Sequence, residues 1–410
     1  MKKAPPHISG ALHTRGASRF IGDEPALPRM LHARLLLSPV AHAMLNGMDF
    51  TRARALPGVF AVLGAEDIPG ENMIGHVIKD EPLFPEQTIM YIGQPLAMVL
   101  SYDKNLAEEA VKLIDISYEE LPPILDVDTA DQKAEWYVPE RKIECGEVDK
   151  ALAKSTFVLK GAIESAGQEH FYMETQRCRA VPGEGDQITL YSATQSTMEV
   201  QEVVSHVLGI AAHNVIVDVL RLGGAFGGKE RNGTIYACLA ALGAYICKRP
   251  VEILLTRDED MLITGKRHPF KTYYQIGFEP DGKINALEIQ LLANGGAFAD
   301  LSIAILERAM FHADNAYYIP NARIRGRACR TNLPPNTAYR GFGAPQGIYV
   351  IESLIEQMAE TLKIDMIEIR KRNTYSPGQP TPYGQVMHEA FGLELWDRLQ
   401  EISDYDNLQS

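Results

Sequence analysis

No apolar run in this chain is long enough to cross a bilayer. The longest candidate, Tyr236 to Cys247, stops well short of the ~20 residues a spanning helix needs and is expected to be a buried core helix. Cysteine is scarce: Cys145, Cys178, Cys238, Cys247 and Cys329 are scattered, with no C-x-x-C spacing. That excludes a zinc ribbon, a disulfide framework, or an iron–sulfur cluster held by this chain. Positive charge is in deficit, with 40 Lys and Arg against 53 Asp and Glu, a net charge of −13 and a pI near 5.4. No basic stripe offsets the acidic field, so a nucleic-acid partner is not expected. At the start, Lys2 and Lys3 are followed by Ala4-Pro5-Pro6 instead of an apolar segment. Neither secretion nor membrane insertion is signalled, and a cytoplasmic location is expected. Fixed-period repeats and low-complexity tracts are also missing.

What is present is ordinary globular material, 46% apolar and 23% charged. A chain of 410 residues exceeds the ~250–300 at which one core stops growing, so two or more domains are expected. The pattern is α+β. A small α/β unit is expected over 1–130, with strands Met90 to Leu100 and Ile114 to Tyr118 and a helix opening at Asn105, capped by Asn105 with Glu108. The proline-bearing, charged stretch that begins at Glu119 reads as a linker, placed at 131–155. A larger mixed α+β region follows over 156–410. It should hold a strand at Gln187 to Ser192, a helix at Met198 to Leu208, a strand at Val251 to Thr256 and a hairpin turning at Asp281-Gly282, where the flanking Pro280 and Lys283 leave room for a loop longer than two residues. Helices are expected at Gln346 to Leu362 and Asp365 to Asn373, with a last short segment at Phe391 to Ile402. The region stops without an obvious closing element, which suggests a missing partner.

The most informative segment is Gly223-Gly224-Ala225-Phe226-Gly227-Gly228-Lys229-Glu230, between the strand pattern Val215 to Leu220 and a helix. Its glycines permit positive φ and let a ligand approach, while free amides at the start of the next helix favour electron-rich atoms. Gly223, Gly228 and Lys229 nearly satisfy G-x-x-x-x-G-K-[ST], yet position 230 is Glu where a hydroxyl should ligate magnesium. That residue argues against a nucleoside-triphosphate site. A plainer role for Glu230 is to complement the helix dipole, worth about 0.3–1 kcal/mol.

Four segments in order carry a resemblance: Gly167-Gln168-Glu169-His170-Phe171-Tyr172-Met173-Glu174-Thr175, Ser192-Ala193-Thr194-Gln195, the glycine loop, and Ala338-Tyr339-Arg340-Gly341-Phe342-Gly343-Ala344-Pro345-Gln346-Gly347. Together they resemble the molybdopterin-binding subunit of the xanthine dehydrogenase family of molybdenum hydroxylases, and the N-terminal unit resembles its hammerhead domain. The resemblance implies a metal held by the sulfurs of its pterin, not by side chains. It places Gln195, Phe226, Gly227 and Arg340 at the cofactor, with Gln195, Phe226 and Arg340 beside the metal through backbone or outer-shell contacts. It assigns Glu230 and Arg308 to catalysis and substrate binding and Phe342 to stacking on the substrate ring. Glu230 and Arg308 match the purine-oxidising members, so the implied reaction is oxidation of a xanthine- or hypoxanthine-type ring carbon with water as oxygen source. His170 is read as a buried structural histidine.

The sequence departs from the family at Ala225, Tyr339 and Ala344, each a small change. The larger departure is length: the family's subunit is nearly twice as long, and its second half carries the general base, expected here outside this chain. The implied partners are a chain carrying that second half, an iron–sulfur subunit with 2Fe-2S clusters and a subunit with FAD. A hydroxylase of another N-heterocycle or of an aldehyde is an alternative, as is a non-catalytic assembly chain from a truncated subunit. Molybdenum content of the copurified complex separates the last.

Overall fold

A computed structural model of the chain describes residues 5–403. It is α+β, built on three sheets. The largest runs Val215–Asp218, Ile188–Ser192, Arg177–Pro182, Val251–Leu254, Leu31–Leu37, Pro95–Ser101, Val59–Leu63. Three of its seven strands come from residues 31–101 and four from residues 177–254. The join is a parallel pairing of Leu31 with Val251, His32 with Glu252 and Ala33 with Ile253, so the N-terminal unit and the larger region share one sheet.

Pro95–Ser101 is buried along its whole length, because it has a strand on either side and a core on each face. Successive side chains alternate between faces: Met98 and Leu100 enter the core around the helix Asn232–Cys247, whereas Ala97 and Val99 enter the core around Lys104–Val111. The Asn232–Cys247 helix, apolar on all sides, is buried as its sequence requires. Among the described residues no helix is long and apolar enough to cross a membrane.

The second sheet, Arg141–Cys145, Ala322–Arg330, Ile284–Gly296, Phe270–Phe278 and Phe157–Ser165, backs onto the helices Ser302–Phe311 and Ala344–Leu362. Its central hairpin pairs Phe278 with Ile284. The hairpin turns at Asp281-Gly282 as expected, and its loop is longer than two residues: the Glu279 amide donates to the Lys283 carbonyl at 3.0 Å and Gly282, at φ +80, donates to the Glu279 carbonyl at 2.8 Å.

Three local expectations are corrected. The early helix spans Lys104–Val111 and is capped by Asp103, whose carboxylate accepts from the amides of Asn105 and Leu106 at 2.7 and 3.3 Å; an acceptor placed before the helix outcompetes Asn105. The strand read from Met90 begins at Pro95, since Gly93 at φ +88 and the Gln94 side chain, accepting from Met90 N at 2.8 Å, make a turn there. The stretch read as a linker contains the strand Arg141–Cys145, paired on Ala322–Gly326, and the helix Val148–Lys154. Its short, charged elements carry weak periodicity because they lie at a sheet edge.

Candidate active site

Elements from both sheets converge on the glycine loop. Gly224, Phe226 and Gly227 have φ of +94, +56 and +102, which turns the chain sharply between the Val215–Asp218 strand and the Asn232–Cys247 helix. The missing side chains serve the protein first. A Cβ on Gly227 would lie 2.6 Å from the Ala338 carbonyl oxygen, one on Gly228 2.7 Å from the His170 ring, and one on Gly223 2.5 Å from Glu174 Cβ. The expectation that these glycines open the backbone to a ligand is thus corrected in part: three of them admit neighbouring chain. The closeness brings the Ala338–Phe342 turn against the loop, with Arg340 N donating to the Phe226 carbonyl at 2.9 Å. His170 is wedged beneath, its Nε2 2.7 Å from the Ala338 oxygen, in the structural role its sequence context suggests.

Gln195 completes the wall. Its carboxamide oxygen accepts from Gly227 N at 3.0 Å and Lys229 N at 3.3 Å, and its own amide donates to the Lys229 carbonyl at 2.8 Å. With the oxygen held inward, the exposed side chain has only its NH₂ donor left. Gln195, Phe226, Gly227 and Arg340 are therefore tied into one surface by direct hydrogen bonds, with Phe226 at 49% exposure. Phe342, at φ +51, follows in the same turn, its amide donating to Tyr339 at 2.7 Å.

Lys229, which the phosphate pattern would have made a ligand-seeking cation, is fully buried. Its ammonium meets Glu174 at 3.0 Å and lies 4.7 Å from the centroid of the Tyr172 ring. Burial lowers its pKa from the ordinary value and Glu174 pulls it back. Glu230 is different. It is half-buried, its carboxyl has no hydrogen-bond partner among the described residues, and burial first and Glu199 second push its pKa up.

Helix packing brings the element that carries Arg308 against the Phe342 turn. Gly343 (φ +96), next to Phe342, sits where a Cβ would be 2.0 Å from the Ile305 carbonyl oxygen, so the start of Ala344–Leu362 presses on Ser302–Phe311, the helix that carries Arg308. Arg308 is exposed and its guanidinium has no partner among the described residues. The neighbouring Glu307 pairs with Arg141 at 2.9 Å. No hydrogen bond or ion pair joins Arg308 to Glu230. Sequence reasoning missed Arg231, which is buried and multiply bonded; an arginine directly before an all-apolar helix was the available signal. An open groove of about 980 Å³, lined by residues 45–51, 54–55, 64–66 and 85–86, shares no residue with this wall.

The model for the molybdopterin cofactor-binding domain matches residues 129–374, and that for the a/b hammerhead domain of aldehyde oxidase and xanthine dehydrogenase matches 15–122. The chain belongs to the molybdopterin cofactor-binding family, with a hammerhead domain ahead of the cofactor-binding domain. Among characterised proteins it is 39% identical over 402 residues to the xanthine dehydrogenase/oxidase of Felis catus, covering 98% of this chain and 30% of that protein. It is 40% identical over 408 residues to the nicotinate hydroxylase hnxS of Emericella nidulans, with the same coverage. Quinoline 2-oxidoreductase from Pseudomonas putida 86 superposes with a TM-score of 0.88 at 27% identity, over 98% of this chain and 54% of that one. The chain thus spans under a third of the length of the curated relatives it matches.

The residues fit the cofactor this family is named for. Among the described residues no group of three or more His, Cys, Asp or Glu could hold a metal, so a metal here would bring its own ligands. What the wall offers is an unbonded NH₂ donor at Gln195, the half-exposed Phe226 and an unpaired guanidinium at Arg340, groups of the kind that orient a centre from outside its coordination shell.

Proposed function

We propose that this chain forms one wall of the molybdenum site of a hydroxylase that oxidises a xanthine- or hypoxanthine-type purine. The observation that carries the reading is the half-buried, unpartnered carboxyl of Glu230 on the same wall as Gln195 and Phe226. When bound, the molybdenum cofactor supplies the two-electron oxidation and the site where water is activated. This chain's residues hold the guest. Gln195 NH₂, the backbone at Phe226 and Gly227, and Arg340 orient the cofactor. Glu230 exchanges hydrogen bonds with ring nitrogens, Phe342 keeps the ring flat, and Arg308 stabilises negative charge growing on a ring oxygen. The general base, the rest of the pterin surface, the 2Fe-2S clusters and FAD come from partner chains in the cytoplasm. The division into a hammerhead unit to residue 130 and a cofactor unit from 156 belongs to the same reading.

In the complex assembled with the chain carrying the second half, Glu230→Ala and Arg308→Met are each expected to lower kcat/KM on xanthine and hypoxanthine by about 10²–10³. Wild-type values in both variants overturn the purine assignment. The likeness to a nicotinate hydroxylase, as high as that to xanthine dehydrogenases, favours a second reading in which the ring is another N-heterocycle; a kcat/KM for nicotinate above that for xanthine selects it.

A further inference from the structure

Glu230 hangs between two residues that cannot move. On one side Lys229 is bound through its side chain to Glu174 and through its backbone to Gln195. On the other, Arg231 is 2% exposed and bonds outward in three directions. Its Nη1 pairs with Glu199 on the helix Thr197–Leu208. Its Nη2 donates to the Ile74 carbonyl at 2.6 Å, and the Glu81 carboxyl lies 4.0 Å away. Ile74 and Glu81 belong to the hammerhead domain and close on each other, Ile74 N donating to the Glu81 carbonyl at 2.8 Å. The same loop reaches further: the Asp80 carboxylate accepts from Ala299 N at 2.9 Å, and Asp300 accepts from Thr337 Oγ1 at 2.9 Å. Ala299 and Asp300 lead into the helix bearing Arg308, and Thr337 precedes the turn bearing Arg340 and Phe342.

One loop of the hammerhead domain is therefore bonded directly to two of the segments that carry assigned residues, at Arg231 and Ala299, and through Asp300 to a third at Thr337, although none of the assigned residues lies in that domain. We propose that Arg231, braced by Glu199 and by the Ile74–Glu81 loop, is a positioning residue that aims the Glu230 carboxyl into the cleft. The hammerhead domain then sets how the ring is held without touching it. With its backbone held on both flanks, Glu230 has less conformational freedom left to lose when a ring binds. The inference rests on Glu230 being a ring-binding residue.

The test compares Arg231→Met, Arg231→Lys and Glu230→Gln, singly and as double variants, in the assembled complex. Hypoxanthine is the probe, read as KM and kcat separately and, by calorimetry, as Kd in complex prepared without molybdenum. Arg231→Met is expected to raise KM and Kd about tenfold, the size of one charge-assisted hydrogen bond, with kcat per molybdenum nearly unchanged. Arg231→Lys keeps the charge but loses the planar fork, so the rise is expected to be about threefold. In the Glu230→Gln background neither substitution should raise them further. A purely structural role would reduce the number of working sites and leave the KM of the remainder alone. Unchanged KM and Kd in both Arg231 variants, or the same rise in the Glu230→Gln background, overturns the proposal. If Glu230→Gln alone leaves both constants at wild-type values, the assignment of Glu230 to the ring fails and this inference falls with it. Should Arg231→Met not assemble, Arg231→Lys and Glu199→Gln carry the same comparison.

Discussion

Four cations frame the candidate site, and they fall into two kinds. Lys229 and Arg231 are buried and bonded to Glu174 and Glu199, whereas Arg308 and Arg340 are exposed and their guanidinium groups have no partner among the described residues. The difference separates two jobs. A buried charge is tolerated only when paired and hydrogen-bonded, so the first pair shapes the loop and is spent on doing so. An exposed arginine keeps its five donors for whatever enters the cleft. The lysine that the glycine-loop pattern singled out is thus structural, and Arg308 and Arg340 are the cations left free.

Three measurements would break or sharpen that contrast. The largest effect is expected at Lys229. Lys229→Met strips the partner from Glu174, and breaking a buried pair from one side costs about 3–5 kcal/mol; equilibrium unfolding in urea should show it, and a loss below 1 kcal/mol, on the scale of an exposed pair, would place Lys229 with the exposed group. A smaller, pH-dependent effect is expected behind Arg231. Burial pushes the Glu81 carboxyl from 4.5 up to about 8 and the Asp300 carboxyl from 3.8 to about 7; the Arg231 guanidinium pulls both back, and neighbouring carboxylates, Asp300, Asp80 and Glu199 for Glu81 and Glu199 for Asp300, add to the rise. For Glu81, between pH 4.5 and 8 the folded chain keeps a proton that the unfolded chain has lost, so stability falls as pH rises through that window. Thermal unfolding across it should show the fall, and Glu81→Gln should flatten it; a wild-type profile that is level or rising contradicts the burial argument. The smallest effect is expected at Arg308, where Arg308→Met should change unfolding free energy by no more than about 0.5 kcal/mol. A larger loss would mean that Arg308 is held by the fold after all.

Much of this was legible in the residues. The hairpin at Asp281-Gly282 follows from period-2 alternation around a turn pair. The apolar stripe with Ile351, Leu354, Ile355 and Met358 faces the core because period 3.6 puts it on one side of a helix. Four motifs in order, three of them glycine-bearing, sufficed to name the family, and the same segments proved to meet in space. What escaped was non-local. The pairing of Leu31 with Val251 leaves no mark on either strand, since a strand's own pattern shows which faces are buried and not what lies beside it. The strand Arg141–Cys145 was lost among charges because those charges are its solution to lying at an edge: Arg323 on the neighbouring strand takes Glu144 at 2.8 Å.

The residues alone determined the local periods, the turns and the chemical kinds gathered at the site, because each depends on a few neighbours along the chain. The tertiary structure decided which glycine gaps are filled by protein and which cations are used up. Burial and pairing are sums over contacts from distant segments: Ile74 for Arg231, Ala338 for Gly227, Glu174 for Lys229. A glycine or a lysine reads the same in sequence whether its open side meets a ligand or another part of its own chain.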